Sequence, residues 1–161
     1  MKVDQVMTKN VKTCSMNDTL EVAARIMWEN DCGVVPIVDS NGHAIGMVTD
    51  RDICMAGLTQ GMQYWQIPVS VAASKTLVNV RPDASVRKAE EMMRSHQVRR
   101  LAVTDDGGKL LGLVALNDLA VRAGRTADDL GLGEVGKTLA AIGRRPRHPA
   151  AEKGNASSPH A

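Results

Sequence analysis

Thr49 and Asp52 stand three residues apart in the run GMVTDRDI, Gly46 to Ile53. The apolar start of that run reads as the end of a short buried strand, and its aspartate-containing part as the first turn of a helix. A hydroxyl and a carboxylate would then meet free amide groups and the positive end of a helix dipole. That set suits the phosphate and ribose of a nucleotide. The same residues are also common helix caps, with Asp50 a third candidate, so spacing alone leaves both readings open. No Ser-His-Asp, Cys-His or paired-carboxylate arrangement stands out, so catalysis has no support. His43, in a predicted turn, reads as solvated, and His96 as a cation at a helix end. Neither makes a metal site.

The run has an echo, GLVALNDL from Gly112 to Leu119, sixty-six residues on. At that offset Val3–Met55 aligns without a gap, with nine of fifty-three positions identical: Val3, Lys9, Ala23, Met27, Asp39, Gly42, Gly46, Val48 and Asp52 recur at Val69, Lys75, Ala89, Met93, Asp105, Gly108, Gly112, Val114 and Asp118. A repeat of this length means two copies of one supersecondary unit packed together. In the first copy a turn over Val3–Met7 precedes a strand at Val11–Cys14. Asn17 or Asp18 caps a helix, Glu21 completing a capping box with Asp18. Leu20, Ala23, Ile26, Met27 and Asn30 share a face of that helix, with Trp28 on its flank. A buried strand Val34–Val38 contains Pro36, which suits an edge or a widened strand gap. The turn Asp39–Gly42, a return strand Ala44–Val48 and a helix Asp50–Gly57 follow.

The connector runs over 58–70. The second copy gives strand Val78–Val80, helix Ser85–Gln97, strand Arg100–Val103, strand Leu110–Val114 and helix Asn117–Gly124. Thr126–Asp129 reads as a helix start, and Leu130, Val135, Leu139 and Ile142 as its apolar side. The expected organisation is repeat 1 over 3–57, a linker over 58–68, repeat 2 over 69–124, a helical extension over 125–142 and a disordered basic tail over 143–161.

A chain of 161 residues, 43% hydrophobic and 24% charged, fits one compact domain or two small ones sharing a core. The net charge of +2 is concentrated at the end, where Arg144, Arg145, Arg147 and Lys153 face only Glu152. The remainder is close to neutral, which argues against electrostatic nucleic-acid binding. Trp28, Tyr64 and Trp65 are the only aromatics, too few for a base-stacking platform. Arg99-Arg100 reads as a phosphate contact or a surface ion pair rather than a nucleic-acid patch. No apolar run approaches a membrane span, and MKVDQVMTKN is no signal peptide, so a cytoplasmic protein is expected. Cys14, Cys32 and Cys54 are far apart and read as free buried thiols.

The tandem strand–helix–strand–strand–helix unit, closed by G-h-V-T-x-x-D-h at Gly46–Ile53, resembles a pair of CBS domains, also called a Bateman module. HQVRRLAV at His96–Val103 is similar to that family's h-R-R-L-P-V stretch, with Ala102 in place of proline. The resemblance covers residues 3–123 and extends to small stand-alone bacterial members of the hypoxic-response type. It implies an α/β sandwich of two βαββα repeats about a pseudo-twofold axis, here with a C-terminal helix and a disordered tail. It also implies flat homodimers, and clefts between the repeats that take AMP, ADP, ATP or S-adenosylmethionine as regulatory ligand rather than catalytic cofactor.

Carried over residue by residue, the resemblance gives Asp52 to the ribose hydroxyls as a charge-assisted bidentate acceptor. Thr49 goes to the sugar-phosphate and Met47 to the adenine pocket. Ser74, Val78, Val98 and Arg99 come from the other repeat, Arg99 reaching for phosphate. A second cleft would use Asp118, Leu113, Lys12, Cys32 and Gly33, with Arg99 again in reach. There Ala115 replaces the hydroxyl, at a cost of about 0.5–1.5 kcal/mol for a neutral bond. The expected function is a non-enzymatic sensor with unequal clefts that biases an unknown protein partner. The rival is an interaction module whose dimer surface or C-terminal helix docks a partner without ligand.

Overall fold

Both glycine-headed runs fold into the strand-to-helix junctions their patterns predict. The structure, a computed structural model, describes residues 1–74, 76–123 and 131–144. A 3-10 turn at Val3–Gln5 leads to β1 (Thr8–Lys9), α1 (Leu20–Glu29), β2 (Val34–Val38), β3 (Ala44–Thr49) and α2 (Asp50–Gln60). A second 3-10 turn at Tyr64–Gln66 leads to α3 (Val69–Ala72), β4 (Asn79–Val80), α4 (Val86–His96), β5 (Arg100–Thr104), β6 (Leu110–Ala115), α5 (Leu116–Ala123) and α6 (Leu132–Gly143). This is a mixed α/β fold with one sheet ordered β1-β6-β5-β4 and another made of β2 and β3.

The sixty-six-residue offset survives as reciprocal contacts about a pseudo-twofold axis. Val3 N donates to Ala84 O at 2.9 Å, and Val69 N donates to Asp18 O at 2.7 Å. Val86 N donates to Met1 O at 3.1 Å, and Leu20 N to Ile67 O at 2.9 Å. Each unit's opening segment therefore packs in the other's core. Val3 is fully buried with Val86, Met93, Leu101 and Leu119, while Ile67 and Val69 are buried with Leu20, Ile37 and Val48. The hairpin tips meet at the axis, where Ala44 N donates to Gly108 O and Leu110 N to Gly42 O, both at 3.0 Å. Gly42 and Gly108 sit at φ +82° and +85°, where a Cβ is disfavoured. Val34, Ala102 and Leu113 fill the seam between the units with Val11, Met47 and Leu77 packed against them.

Several local expectations give way to tertiary contacts. The strand expected at Val11–Cys14 shrinks to one bridge from Cys14 to Ile37, because only Cys14 carries ladder bonds, to Pro36 O and from Val38 N. The pairing strand is instead Thr8–Lys9, which joins β6 of the other unit. The cap of α1 is Thr19, not Asn17 or Asp18, and it accepts from Val22 N. Asp18 closes the preceding turn by accepting from Ser15 N at 2.6 Å. Trp28 stands 88% exposed, off the buried face of Leu20, Ala23 and Met27. His43 is not simply solvated, since Nδ1 lies 2.9 Å from Asp39 Oδ2. Cys14 is buried, but Cys32 and Cys54 are exposed.

The second helix extends to Gln60 and ends at Gly61, and the stretch expected as connector holds two helical turns. α6 lays Val135 and Ile142 into the second unit's core while Leu139 is 55% exposed. Arg94 Nη1 of α4 donates to Thr138 Oγ1 of α6 at 3.0 Å. The helix start expected at Thr126–Asp129, Leu130 and the tail beyond Arg144 lie outside the described residues.

Candidate functional site

Thr49 ends β3 with extended backbone, φ −110° and ψ 163°, and thereby caps α2. Its Oγ1 accepts from Asp52 N at 3.3 Å, and Asp52 Oδ2 accepts from Thr49 N at 3.0 Å. The hydroxyl also donates to that same Oδ2 at 2.6 Å. The capping reading of this pair is therefore realised. It leaves Asp52 Oδ1 without a hydrogen bond among the described residues, while the first-turn amides of α2 are taken up by Gly33 O, Asp50 Oδ1 and Thr49 Oγ1.

Ser74 fastens the opposite wall to the edge of β3. Its Oγ accepts from Met47 N at 3.1 Å, and its own N donates to Met47 O at 2.8 Å. Four residues on, Val78 O accepts from Ala102 N at 3.2 Å, which brings the segment before β4 alongside β5. Gln97, in the left-handed region at φ 53°, ends α4 and turns the chain so that Val98 N bonds Met93 O. Val98 and Arg99 then enter the space facing Thr49.

These elements enclose a cleft of about 450 Å³ between the two units. All seven residues expected of the first site, Met47, Thr49, Asp52, Ser74, Val78, Val98 and Arg99, line it. Sequence reasoning missed Val34, Arg51, Thr76 and Leu77 as walls, and gave Asp50 only a capping role. Arg51 and Leu77 are direct neighbours of the predicted Asp52 and Val78, so adjacency is the one signal that would have found them. Arg100 lines the cleft as well. Arg51, Arg99 and Arg100 have no carboxylate within salt-bridge distance among the described residues, so the cleft is lined by three arginines that no ion pair occupies. Gly33 closes one corner, where an added Cβ would lie 3.0 Å from Asp50 Oδ2 and 3.5 Å from Arg100 Nη2.

The residues expected of the second site are drawn together less directly. Asp118 Oδ2 accepts from Ala115 N at 2.8 Å, the same backbone cap as in the first unit with no hydroxyl beside it. Leu113 is buried in the seam and pairs with Thr8. Cys32 Sγ turns back to Val34 O at 3.5 Å, Lys12 is exposed, and Gly33 faces the first cleft. A separate groove of about 320 Å³ lies near Ala115, between α5 and α6, and shares Arg99 and Arg100 with the first cleft. No group of three His, Cys, Asp or Glu side chains suited to a metal occurs among the described residues. No described helix is long and apolar enough to cross a membrane.

Comparison with known proteins places this geometry. The CBS domain family model matches residues 3–58 and 69–123. The CBS domain-containing protein YhcV of Bacillus subtilis is 42% identical over 119 residues, 74% of this chain and 83% of that one. Hypoxic response protein 1 of Mycobacterium tuberculosis is 33% identical over 115 residues, 71% of this chain and 80% of that one. The crystal structure of Hypoxic Response Protein I with two coordinated zinc ions superposes with a TM-score of 0.68 at 31% identity, covering 75% and 98% of the two chains. Two more distant structures share the fold. One is the CBS domain pair of MJ0100 in complex with 5-methylthioadenosine and S-adenosyl-L-methionine, with a TM-score of 0.70 at 22% identity over 78% of this chain and 98% of that one. The other is PAE2072 from Pyrobaculum aerophilum complexed with AMP, with a TM-score of 0.69 at 19% identity over 85% and 99%.

Proposed function

The chain belongs to the CBS-domain family as a tandem pair, and from that premise we propose that it is a non-catalytic sensor of an adenosine-containing ligand. The observation that carries this reading is the convergence of seven residues from both units on one cleft. A ligand seated there touches Thr49 and Asp52 of one unit and Val98 and Arg99 of the other. It biases their relative placement through its differential affinity for two states. Met47, Val78 and Val98 supply apolar walls for the base, and Asp52 Oδ1 is the open acceptor for a ribose hydroxyl. Three unpaired arginines favour a phosphorylated adenosine, AMP, ADP or ATP, over the cationic sulfonium of S-adenosylmethionine. The protein acts in the cytoplasm and passes the signal to a partner protein, in a stress setting of the kind its hypoxic-response relative is named for.

The second cleft, without a hydroxyl at Ala115, is the weaker site. Thermal unfolding against AMP, ADP, ATP, S-adenosylmethionine and GTP tests the reading, with Asp52→Ala alongside. A ligand at a hundred times its dissociation constant stabilises by about 2.7 kcal/mol, a midpoint shift of several degrees. A shift with an adenine nucleotide that disappears in Asp52→Ala is the expected result. No shift with any of the five, from nucleotide-free folded protein, overturns it.

An interaction module is the second reading, favoured by exposed apolar side chains. Leu58 is 75%, Trp65 60% and Met62 47% exposed, on and after α2. A homodimer contact through this face is compatible with either reading. Sedimentation of the ligand-free and nucleotide-loaded protein separates a constitutive dimer from a ligand-linked one.

A further inference from the structure

Arg99 and Arg100 form a wall common to two cavities. On one side they line the cleft with Thr49 and Asp52, and on the other the groove whose far side is Val135 and Leu139 of α6. Neither arginine has a carboxylate partner that fixes its guanidinium on either side. The backbone of Arg99 is anchored where α5 begins, since Leu116 N donates to Arg99 O at 2.9 Å. Only the side chains are therefore free to redistribute between the two spaces. α6 docks on the second unit through few polar contacts, Arg94 with Thr138 and Arg94 with Glu134 at 3.8 Å. Its docking also covers Glu90, which is 1% exposed with Oε1 lacking any hydrogen bond among the described residues. A buried carboxyl with an unmet oxygen subtracts from the stability of that docking.

We propose that α6 and an anionic ligand compete for Arg99 and Arg100, so that filling the cleft loosens α6 from α4 and α5. Phosphate groups beside Thr49 draw the guanidiniums and their aliphatic stems out of the groove. Val135 and Leu139 then lose the wall that faces them across it. α6 is thus the response element, and docked α6 is an autoinhibitory contact. The inference rests on the sensor reading above. By linkage, any change that weakens α6 docking tightens the ligand.

Hydrogen exchange and calorimetry on the full chain with ATP as probe test this, in wild type, Leu139→Ala and Leu139→Asp. Leu139 is half exposed, so both variants keep the core, and Val135→Ala repeats the loosening arm. The expected result is several-fold faster exchange of the 132–143 amides with saturating ATP. Affinity should rise several-fold in Leu139→Ala and fall several-fold in Leu139→Asp, whose carboxylate holds the arginines in the groove. If ATP binds but α6 exchange is not faster, or Leu139→Ala does not bind more tightly, competition is overturned while the sensor reading stands. If neither wild type nor Leu139→Ala binds AMP, ADP or ATP, the competition is overturned, and the sensor reading fails with it when S-adenosylmethionine does not bind either.

Discussion

Thr49 Oγ1 donates a 2.6 Å hydrogen bond to Asp52 Oδ2 and accepts one from Asp52 N at 3.3 Å, so each residue caps the helix through the other. One pair thus holds α2 in place and faces the cleft. Structural and functional roles are separable here because the cap occupies Oδ2 and leaves Oδ1 over.

The cap predicts a measurable asymmetry between the repeats. Asp52→Ala removes both accepted bonds and should cost about 0.5–2 kcal/mol in urea unfolding. Ala115→Thr supplies the missing hydroxyl beside Asp118 and should stabilise by a similar amount. It should also raise the affinity of the second cleft. Unchanged stability in both variants would show that these caps carry no net energy.

The three arginines predict a charge series. Affinity should rise from AMP to ADP to ATP, fall with added salt, and be weakest for S-adenosylmethionine. Arg99→Ala should flatten the series. Tightest binding by S-adenosylmethionine, insensitive to salt, would contradict the assignment of these side chains to phosphate.

Gly46 and Gly112 are identical in the repeat but not in tolerance. An added Cβ at Gly112 falls on the carbonyl oxygen of Thr8, a backbone atom of β1 that cannot move aside without breaking its pairing with β6. At Gly46 the nearest atoms are at 3.4 Å and more, ordinary contacts. Gly112→Ala should destabilise by about 1–3 kcal/mol, and Gly46→Ala by clearly less. Calorimetric midpoints of the two variants compare them directly, and equal losses would refute the difference.

Burial holds the Glu90 carboxyl above its ordinary 4.5; Arg94 opposes this, Glu134 adds to it, and Arg87 and Thr138 oppose it more weakly. A folded-state pKa above the unfolded one means the folded chain keeps the proton longer. The associated stability is present below about pH 4.5 and is lost as pH rises through the folded value. Glu90→Gln should therefore be more stable than wild type at neutral pH, with the advantage shrinking toward pH 4. A constant difference across that range would show that Glu90 does not titrate as argued.

Burial, with Asp18 nearby, pushes the Cys14 thiol up to about 11, while Cys32 and Cys54 are exposed. At pH 8 a thiol reagent should label two cysteines quickly and the third only on unfolding. Mass mapping of the labelled peptides identifies them. Rapid labelling of Cys14 in the folded protein would mean that its core opens on that timescale.

What the sequence determined by itself is the repeat and the chemistry at its strand-to-helix junctions. Of the nine identities at one offset, Asp39, Gly42 and Asp52 fall where a turn, φ > 0 or a cap leaves few residue types acceptable, and Asp52 is legible for that reason. Period and punctuation also gave β2, β3, α4 and β6 nearly to the residue, because each is local. The tertiary structure decided what depends on partners distant along the chain. Val3 and Val69 have the same apolar character wherever they pack, so nothing in their types announces that each fills the other unit's core. Thr19 displaced Asp18 as cap because Asp18 was drawn into the Ser15 turn and its carbonyl into a bond with Val69. Gly46 and Gly112 read alike until Thr8 is laid across one of them. Arg100 carries no more signal than any arginine entering a strand; only the meeting of β5, α2 and α6 places it between two cavities.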